Sequence, residues 1–237
     1  NTLSKRKRAI PMITFSNVSK IYDAEEKFAL KDVDLSIGQG EFAFVVGKSG
    51  AGKSTMIKML LREVLPTEGK VMVSGKDIAR LKDKELPYYR RKIGVVFQNY
   101  RLLETKTVFE NIAFAMEVVQ ADEKTIQKVT PRILNMVGLR DKARKYPSAL
   151  SGGEQQRVAI ARSIINNPKI LICDEPTGNL DPVTSAGIMN LLSDINATGT
   201  TVLIATHDIT MVDRMKKRVI VLDQGHVISD KIGGYYN

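Results

Sequence analysis

The sequence predicts an α/β fold: a mainly parallel sheet, a small antiparallel β lobe ahead of it, and an α-helical subdomain inserted into it. Three observations carry this expectation. Four short, almost wholly apolar runs, "FAFVV" (42–46), "IGVVF" (93–97), "ILIC" (170–173) and "TVLIAT" (201–206), alternate with helical patterns. Buried parallel strands joined by crossover helices look like this. The opening segments "MITFSNVSKIYD" and "FALKDVDLSI" read instead as antiparallel strands, and "GKVMVSGKDI" (69–78) adds to their lobe. Finally, "TVFENIAFAMEVV" and "DEKTIQKVTPRILNMVGL", between Tyr100 and Leu150, place apolar residues at helical spacing, with Pro131 expected to mark a kink or a restart.

The bulk numbers bound the rest. A chain of 237 residues can bury a sizeable core as one domain or as a core with an appended lobe. Its single cysteine, Cys173, allows no internal disulfide, fits a reducing compartment, and is expected to pack as a small apolar group. No apolar run approaches the roughly 18 residues of a membrane span, and no signal-peptide pattern opens the chain. Work at a membrane is therefore expected to need a partner. The formal net charge is +10, part of it in "SKRKR" (4–8). Residues 1–11 are expected to form a basic, disordered extension, whose Lys5, Arg6, Lys7 and Arg8 suit an anionic membrane surface. Residues 12–237 are then a single domain, with the helical subdomain at about 100–165.

The strongest local signal lies directly after the first apolar run. "GKSGAGKS" (47–54) matches G-x-x-x-x-G-K-[ST]. Gly47, Lys48, Ser49, Gly50, Ala51 and Gly52 form a loop whose N–H groups can turn inward as an anion nest. A helix starting near Ser54 adds its positive end, and Ile57, Leu60 and Val64 supply its buried stripe. Lys53 reaches β- and γ-phosphates, the Ser54 hydroxyl suits Mg²⁺, and Thr55 closes the motif.

Ligands in open α/β sheets sit outside the carboxyl ends of the strands, so the residue that ends each apolar run matters. Asp174 is placed to hold the metal, and Glu175 to polarise an attacking water; the bland alternative is an exposed carboxylate pair. Gln98 suits both metal and water, and His207 a hydrogen bond to the γ-phosphate. Tyr22, ahead of the main sheet, is either a stacking partner for adenine or an ordinary core or surface tyrosine.

A second anion site opens "LSGGEQQRVAIARSIINN" (150–167). Ser151 is a helix N-cap, and the N–H groups of Gly152 and Gly153 are expected to be exposed beside it. Val158, Ile160, Ala161, Ile164 and Ile165 then supply a buried stripe. One lysine loop and one serine-glycine helix start per chain suggest that two copies, related by a two-fold axis, complete each other's sites.

Taken in order, Gly47–Thr55, Gln98, "LSGGE" (150–154), "ILICDE" (170–175), "NLD" (179–181) and His207 resemble an ATP-binding cassette ATPase, from about Met12 to Ile228. The resemblance implies a P-loop fold of the cassette type and a sandwich homodimer holding two ATP with Mg²⁺. It implies Glu175 as general base, Lys53, Gln98 and His207 around the γ-phosphate, and Ser54, Gln98 and Asp174 at the metal. Ser151, Gly152, Gly153 and Glu154 would cap the neighbour's nucleotide, Asp181 would reach across the dimer, and Tyr22 would stack on adenine. "REVLPTEGKV" (62–71), "RRKIGVVFQNYRLL" (90–103) and "KTVFENIAFAMEV" (106–118) resemble the branch of the family that serves bacterial cell division. That branch implies an FtsX-like integral membrane partner controlling peptidoglycan hydrolases, and a peripheral place on the cytoplasmic face of the cell membrane. Phe97, Tyr100, Leu102 and Leu103 are the candidates for docking that partner, with Glu104 standing where relatives often carry proline. The alternative is the ATPase subunit of a lipoprotein- or macrolide-type exporter, a branch that shares "DEPTGNLD" (174–181). No nucleic-acid partner is expected, because cassette proteins of that kind usually carry two cassettes or a long insertion.

Overall fold

The computed structural model describes residues 11–22 and 28–235. Lys5, Arg6, Lys7 and Arg8 lie outside the described residues. Strands β1 (Pro11–Ile21), β2 (Phe28–Gly38), β4 (Glu68–Val73) and β5 (Lys76–Asp77) form an antiparallel sheet in the order β2-β1-β4-β5. This is the expected front lobe, with one correction at its edge. Pro11 is not part of an extension but the first residue of β1, paired with Gly38. Proline has no N–H to donate, and a strand's first position tolerates that.

The second sheet has the order β10-β9-β3-β8-β7-β6, where β3 is Phe42–Val46, β6 Ile93–Val96, β7 Ile170–Asp174, β8 Thr201–Thr206, β9 Arg218–Asp223 and β10 His226–Ile232. All neighbours in it are parallel except β9 and β10. The four apolar runs are its β3, β6, β7 and β8. Both faces are covered, which explains their near-continuous hydrophobicity. Phe42, Phe44 and Val46 join a core with Ile112, Leu134, Ile160, Cys173 and Ile188. Ala43 and Val45, pointing the other way, join Ile13, Phe15, Met56, Leu60 and Val71 under the β lobe. Strands β9 and β10 go beyond the four runs that the sequence predicts. "RVIVLD" comes after a charged stretch, and β10 exposes His226, Ile228 and Asp230 on alternate positions, as an edge strand does.

Helices begin where their caps dictate. Thr107 and Glu110 form a capping box at α3 (Val108–Val118), and Asp122 caps α4 (Glu123–Met136). Ser151 and Glu154 form a second box at α5 (Gly152–Ile164), while Asp181 caps α6 (Pro182–Ala197). The shorter helices are α1 (Lys53–Leu60), α2 (Leu86–Arg90) and α7 (Ile209–Met215). Two expectations change. Helix α4 runs through Pro131 without restarting, because the apolar face carrying Ile126 and Leu134 is held against the core on both sides of the ring. Helix α1 stops at Leu60, with Arg62 turning left-handed at φ 56, so Val64 packs from beyond the helix instead of extending its stripe. Helices α3, α4 and α5 share one core with the sheet. Among the described residues no helix is long and apolar enough to cross a membrane.

Candidate active site

The loop between β3 and α1 is built by close approach. A Cβ on Gly47 would lie 2.4 Å from the carbonyl oxygen of Leu222, and one on Gly52 would lie 2.5 Å from that of Ala29. Gly52 also has φ 111, which side-chain-bearing residues rarely adopt. It stands at the N-cap of α1 without a side-chain acceptor, so the helix opens with free N–H donors. Such an end attracts anions. Lys53 folds over the loop, donating from Nζ to the carbonyls of Gly47 and, at 3.2 Å, Lys48.

This loop lines a cavity of about 650 Å³ together with Ala29, Gln98, Asp174, Glu175 and His207. The strand ends converge as the topology requires. Asp174 ends β7 and Gln98 lies just beyond β6. Burial and the neighbouring Glu175 carboxylate push the Asp174 pKa up, while Lys53 and Arg101 pull it down. A carboxylate in that predicament favours a bound cation. The oxygens of Ser54, Gln98 and Asp174 share the cavity, and hard oxygen donors with few carboxylates suit a cation that also takes phosphate oxygens.

Glu175 is held unusually. Its backbone lies in the left-handed region at φ 48, a conformation costing about 1–3 kcal/mol and common at active sites. Its N–H donates to Ala205 at 2.9 Å. The carboxylate accepts from the Thr206 hydroxyl at 2.9 Å and from the His207 N–H at 3.4 Å, and His207 Nδ1 lies 2.8 Å from Oε1. A carboxylate only accepts, so Nδ1 carries the proton. The expectation for His207 is thereby altered: its Nδ1 belongs to Glu175, and only Nε2 remains for a phosphate.

Other expected residues lie apart. Ser151, Gly152, Gly153, Glu154 and Asp181 do not line this cavity. The Ser151 hydroxyl accepts from the Glu154 N–H at 3.3 Å, and Glu154 accepts from the Ser151 N–H at 2.9 Å, which helps hold its carboxyl below the usual range. Gly153 is not exposed as expected; it is buried, with its Cβ position 2.3 Å from Thr184 Cγ2. Asp181 Oδ1 accepts from Val183 and Thr184 N–H, both at 3.0 Å. Tyr22 lies outside the cavity lining, with its hydroxyl 3.4 Å from Thr55 Oγ1. Of the docking candidates, Tyr100 and Leu102 pack against the core, and the Leu103 N–H donates to Asn111 at 2.8 Å. The Phe97 ring carries the Arg101 guanidinium 3.7 Å from its centroid.

Residues 30–178 match the ABC transporter family. The chain belongs to that family. As one of its cassettes it is an ATPase. It is 52% identical over 225 residues to the cell division ATP-binding protein FtsE of Bacillus subtilis, spanning 95% of this chain and 98% of the relative. The FtsE protein of Mycobacterium tuberculosis is 50% identical with the same coverage, and that of Escherichia coli 46% over 216 residues, covering 91% of this chain and 97% of the relative. Among solved structures, the cassette MJ0796 in a dimeric post-hydrolysis state bound to ADP and Pi superposes with a TM-score of 0.83. It is 39% identical and covers 93% of this chain and 98% of its own. Three contributors to the cassette's site carry no signal in the sequence pattern: Ala29, Arg101 and Thr206. None belongs to a spaced motif, although Thr206 could have been suspected as the polar end of a buried strand.

Proposed function

We propose that the chain binds and hydrolyses ATP as the engine of a bacterial cell-division membrane complex, with each γ-phosphate shared between two copies. One observation carries the shared site. The phosphate loop and Glu175 face one cavity, while Ser151 and Gly152 open a helix start outside it on the same chain. A second copy related by a two-fold axis brings the two together.

In this reading the loop N–H groups and Lys53 hold the phosphates. Glu175 accepts a proton from the water that attacks the terminal phosphorus, while the bond to the ADP oxygen breaks and phosphate leaves. Thr206 and His207 fix the carboxylate, and the left-handed backbone at Glu175 aims it. Ser54, Gln98 and Asp174 are the residues that would hold Mg²⁺, which when bound neutralises charge on the phosphate oxygens. In the same reading Tyr22 stacks on adenine, and Asp181 reaches across to the second copy. Release of phosphate removes the bridge between copies, and the pair opens, a two-state change biased by ligand.

An FtsX-like integral membrane protein, gripping both copies near residues 97–103, receives that motion at the cytoplasmic face of the membrane. The near-complete match to FtsE proteins supports this choice. The exporter reading stays second on "DEPTGNLD" (174–181). Capture of the tagged full chain from detergent-solubilised membranes of its own cells tests both. A four-span division protein as the main partner is expected; a permease with a large extracytoplasmic domain would favour the exporter.

A further inference from the structure

Gly152 opens α5 between two other segments. A Cβ on it would lie 3.1 Å from the Tyr100 hydroxyl and 3.3 Å from Leu180 Cδ2. Ten residues further along the same helix, about 15 Å at 1.5 Å per residue, Arg162 reaches back to the same loop. Its Nη2 donates to the Tyr100 carbonyl at 2.9 Å and its Nη1 to the Arg101 carbonyl at 2.7 Å. Tyr100 and Arg101 are both left-handed, at φ 53 and 49, so the turn presents two successive carbonyls to one guanidinium fork. Arg162 and Tyr100 thus act in series along α5: the guanidinium reaches back to the Tyr100 carbonyl, and the Tyr100 hydroxyl reaches on to Gly152 at the helix start. The loop is braced from behind as well. Buried Asn111 accepts from the Leu103 N–H, and the two hydrogens on its Nδ2 are shared among the carbonyls of Leu103, Lys106 and Thr107, each at 3.0 Å. Asn166 ties the end of α5 to α3 through the Ala115 carbonyl at 2.7 Å.

We propose that Arg162 and Tyr100 form a strut fixing the Ser151–Gly152 helix start to the loop after Gln98, so that the position of this loop sets how well one copy caps the other's nucleotide. Both are positioning residues; neither touches the cavity around the phosphate loop. The inference rests on the shared-site reading above. Two unusual backbone conformations cost free energy that an isolated loop would not sustain. Without the fork the turn relaxes, the tyrosine tilts, and the helix start loses its lateral support.

The test uses the full chain carrying Glu175→Gln, with dimerisation followed by sedimentation as MgATP is titrated and ADP affinity of the monomer measured by calorimetry. Arg162→Met keeps the aliphatic stem and removes every donor. It is expected to raise the ATP concentration at the dimerisation midpoint about tenfold, since small misplacements of a positioned group cost one to two decades. ADP affinity should stay within about twofold, a split that general destabilisation would not produce. Arg162→Lys restores part of the midpoint, and Tyr100→Phe, which keeps the ring but removes the hydroxyl packed beside Gly152, shifts it in the same direction by about threefold, as a small single-site loss does. If Arg162→Met and Tyr100→Phe both dimerise at the parent midpoint, the strut is refuted while the shared site stands. A parent that stays monomeric at saturating MgATP would remove the shared-site reading and the strut with it.

Discussion

Thr206→Val changes one buried hydroxyl to a methyl of nearly equal volume and tests how Glu175 is held. Thr206 Oγ1 donates to Glu175 Oε2 at 2.9 Å and accepts from the Asp208 N–H at 3.1 Å. The only other donors on that carboxylate among the described residues come from His207, one of them long at 3.4 Å. A hydrogen bond to a charged group contributes about 1.5–3 kcal/mol. Each 1.36 kcal/mol is tenfold in rate, so kcat should fall roughly 10- to 150-fold if the lost bond is needed to aim the base. KM for ATP should change little, because Thr206 does not line the phosphate cavity. Phosphate release at saturating ATP gives kcat, and urea unfolding of the same preparation checks the fold. Thr206→Ser keeps the hydroxyl and should recover most of the rate. A well-folded Thr206→Val protein with kcat within twofold of the parent would refute the argument that this bond positions Glu175.

Asp174→Asn should abolish hydrolysis yet stabilise the nucleotide-free protein. The folded-state pKa of Asp174 is raised, chiefly by burial and then by Glu175, so ionising it works against folding. That stability is present at low pH and lost as pH rises through the folded pKa. Relief should raise the urea midpoint at neutral pH, and the gain should fade as pH falls into the ordinary carboxylate range; no gain at neutral pH would contradict it. Lys53→Ala should weaken ATP binding by roughly 10- to 150-fold, since a charged donor over the loop is lost, with calorimetry as the check. Gly47→Ala forces a methyl against the Leu222 carbonyl and should cost about 1–3 kcal/mol in unfolding free energy, as overpacking does. An unchanged midpoint would mean the loop yields more easily than its contacts suggest.

Much of this is legible in the sequence alone, for physical reasons that also explain the gaps. The phosphate loop can be read because its chemistry is encoded in local spacing: glycines where backbone approaches backbone, then a lysine and a hydroxyl. The four apolar strands can be read because a parallel strand buried on both faces has no polar positions to interrupt it. Convergence of Gln98, Glu175 and His207 requires a rule about strand ends, and the rule applies. The pairing of His207 with Glu175 cannot be read, because it depends on the 2.8 Å approach of side chains at the ends of two neighbouring strands. Burial of Gly153 is equally hidden, since it depends on Thr184 leaning over α5. Strand β9 escapes notice although "RVIVLD" is largely apolar like β7, because it ends in a turn without an obvious functional group. Arg162 looks like an ordinary basic residue near the end of an amphipathic helix. Only the fold shows that its fork is aimed at two carbonyls.

The most direct measurement is the mass in solution of the Glu175→Gln chain at saturating MgATP, alone and combined with Ser151→Arg. A dimer that appears only with ATP and vanishes with Ser151→Arg, while each monomer still binds nucleotide, is the predicted result. Persistence of the monomer under MgATP, or a dimer indifferent to arginine at position 151, would contradict the idea that two copies share one terminal phosphate.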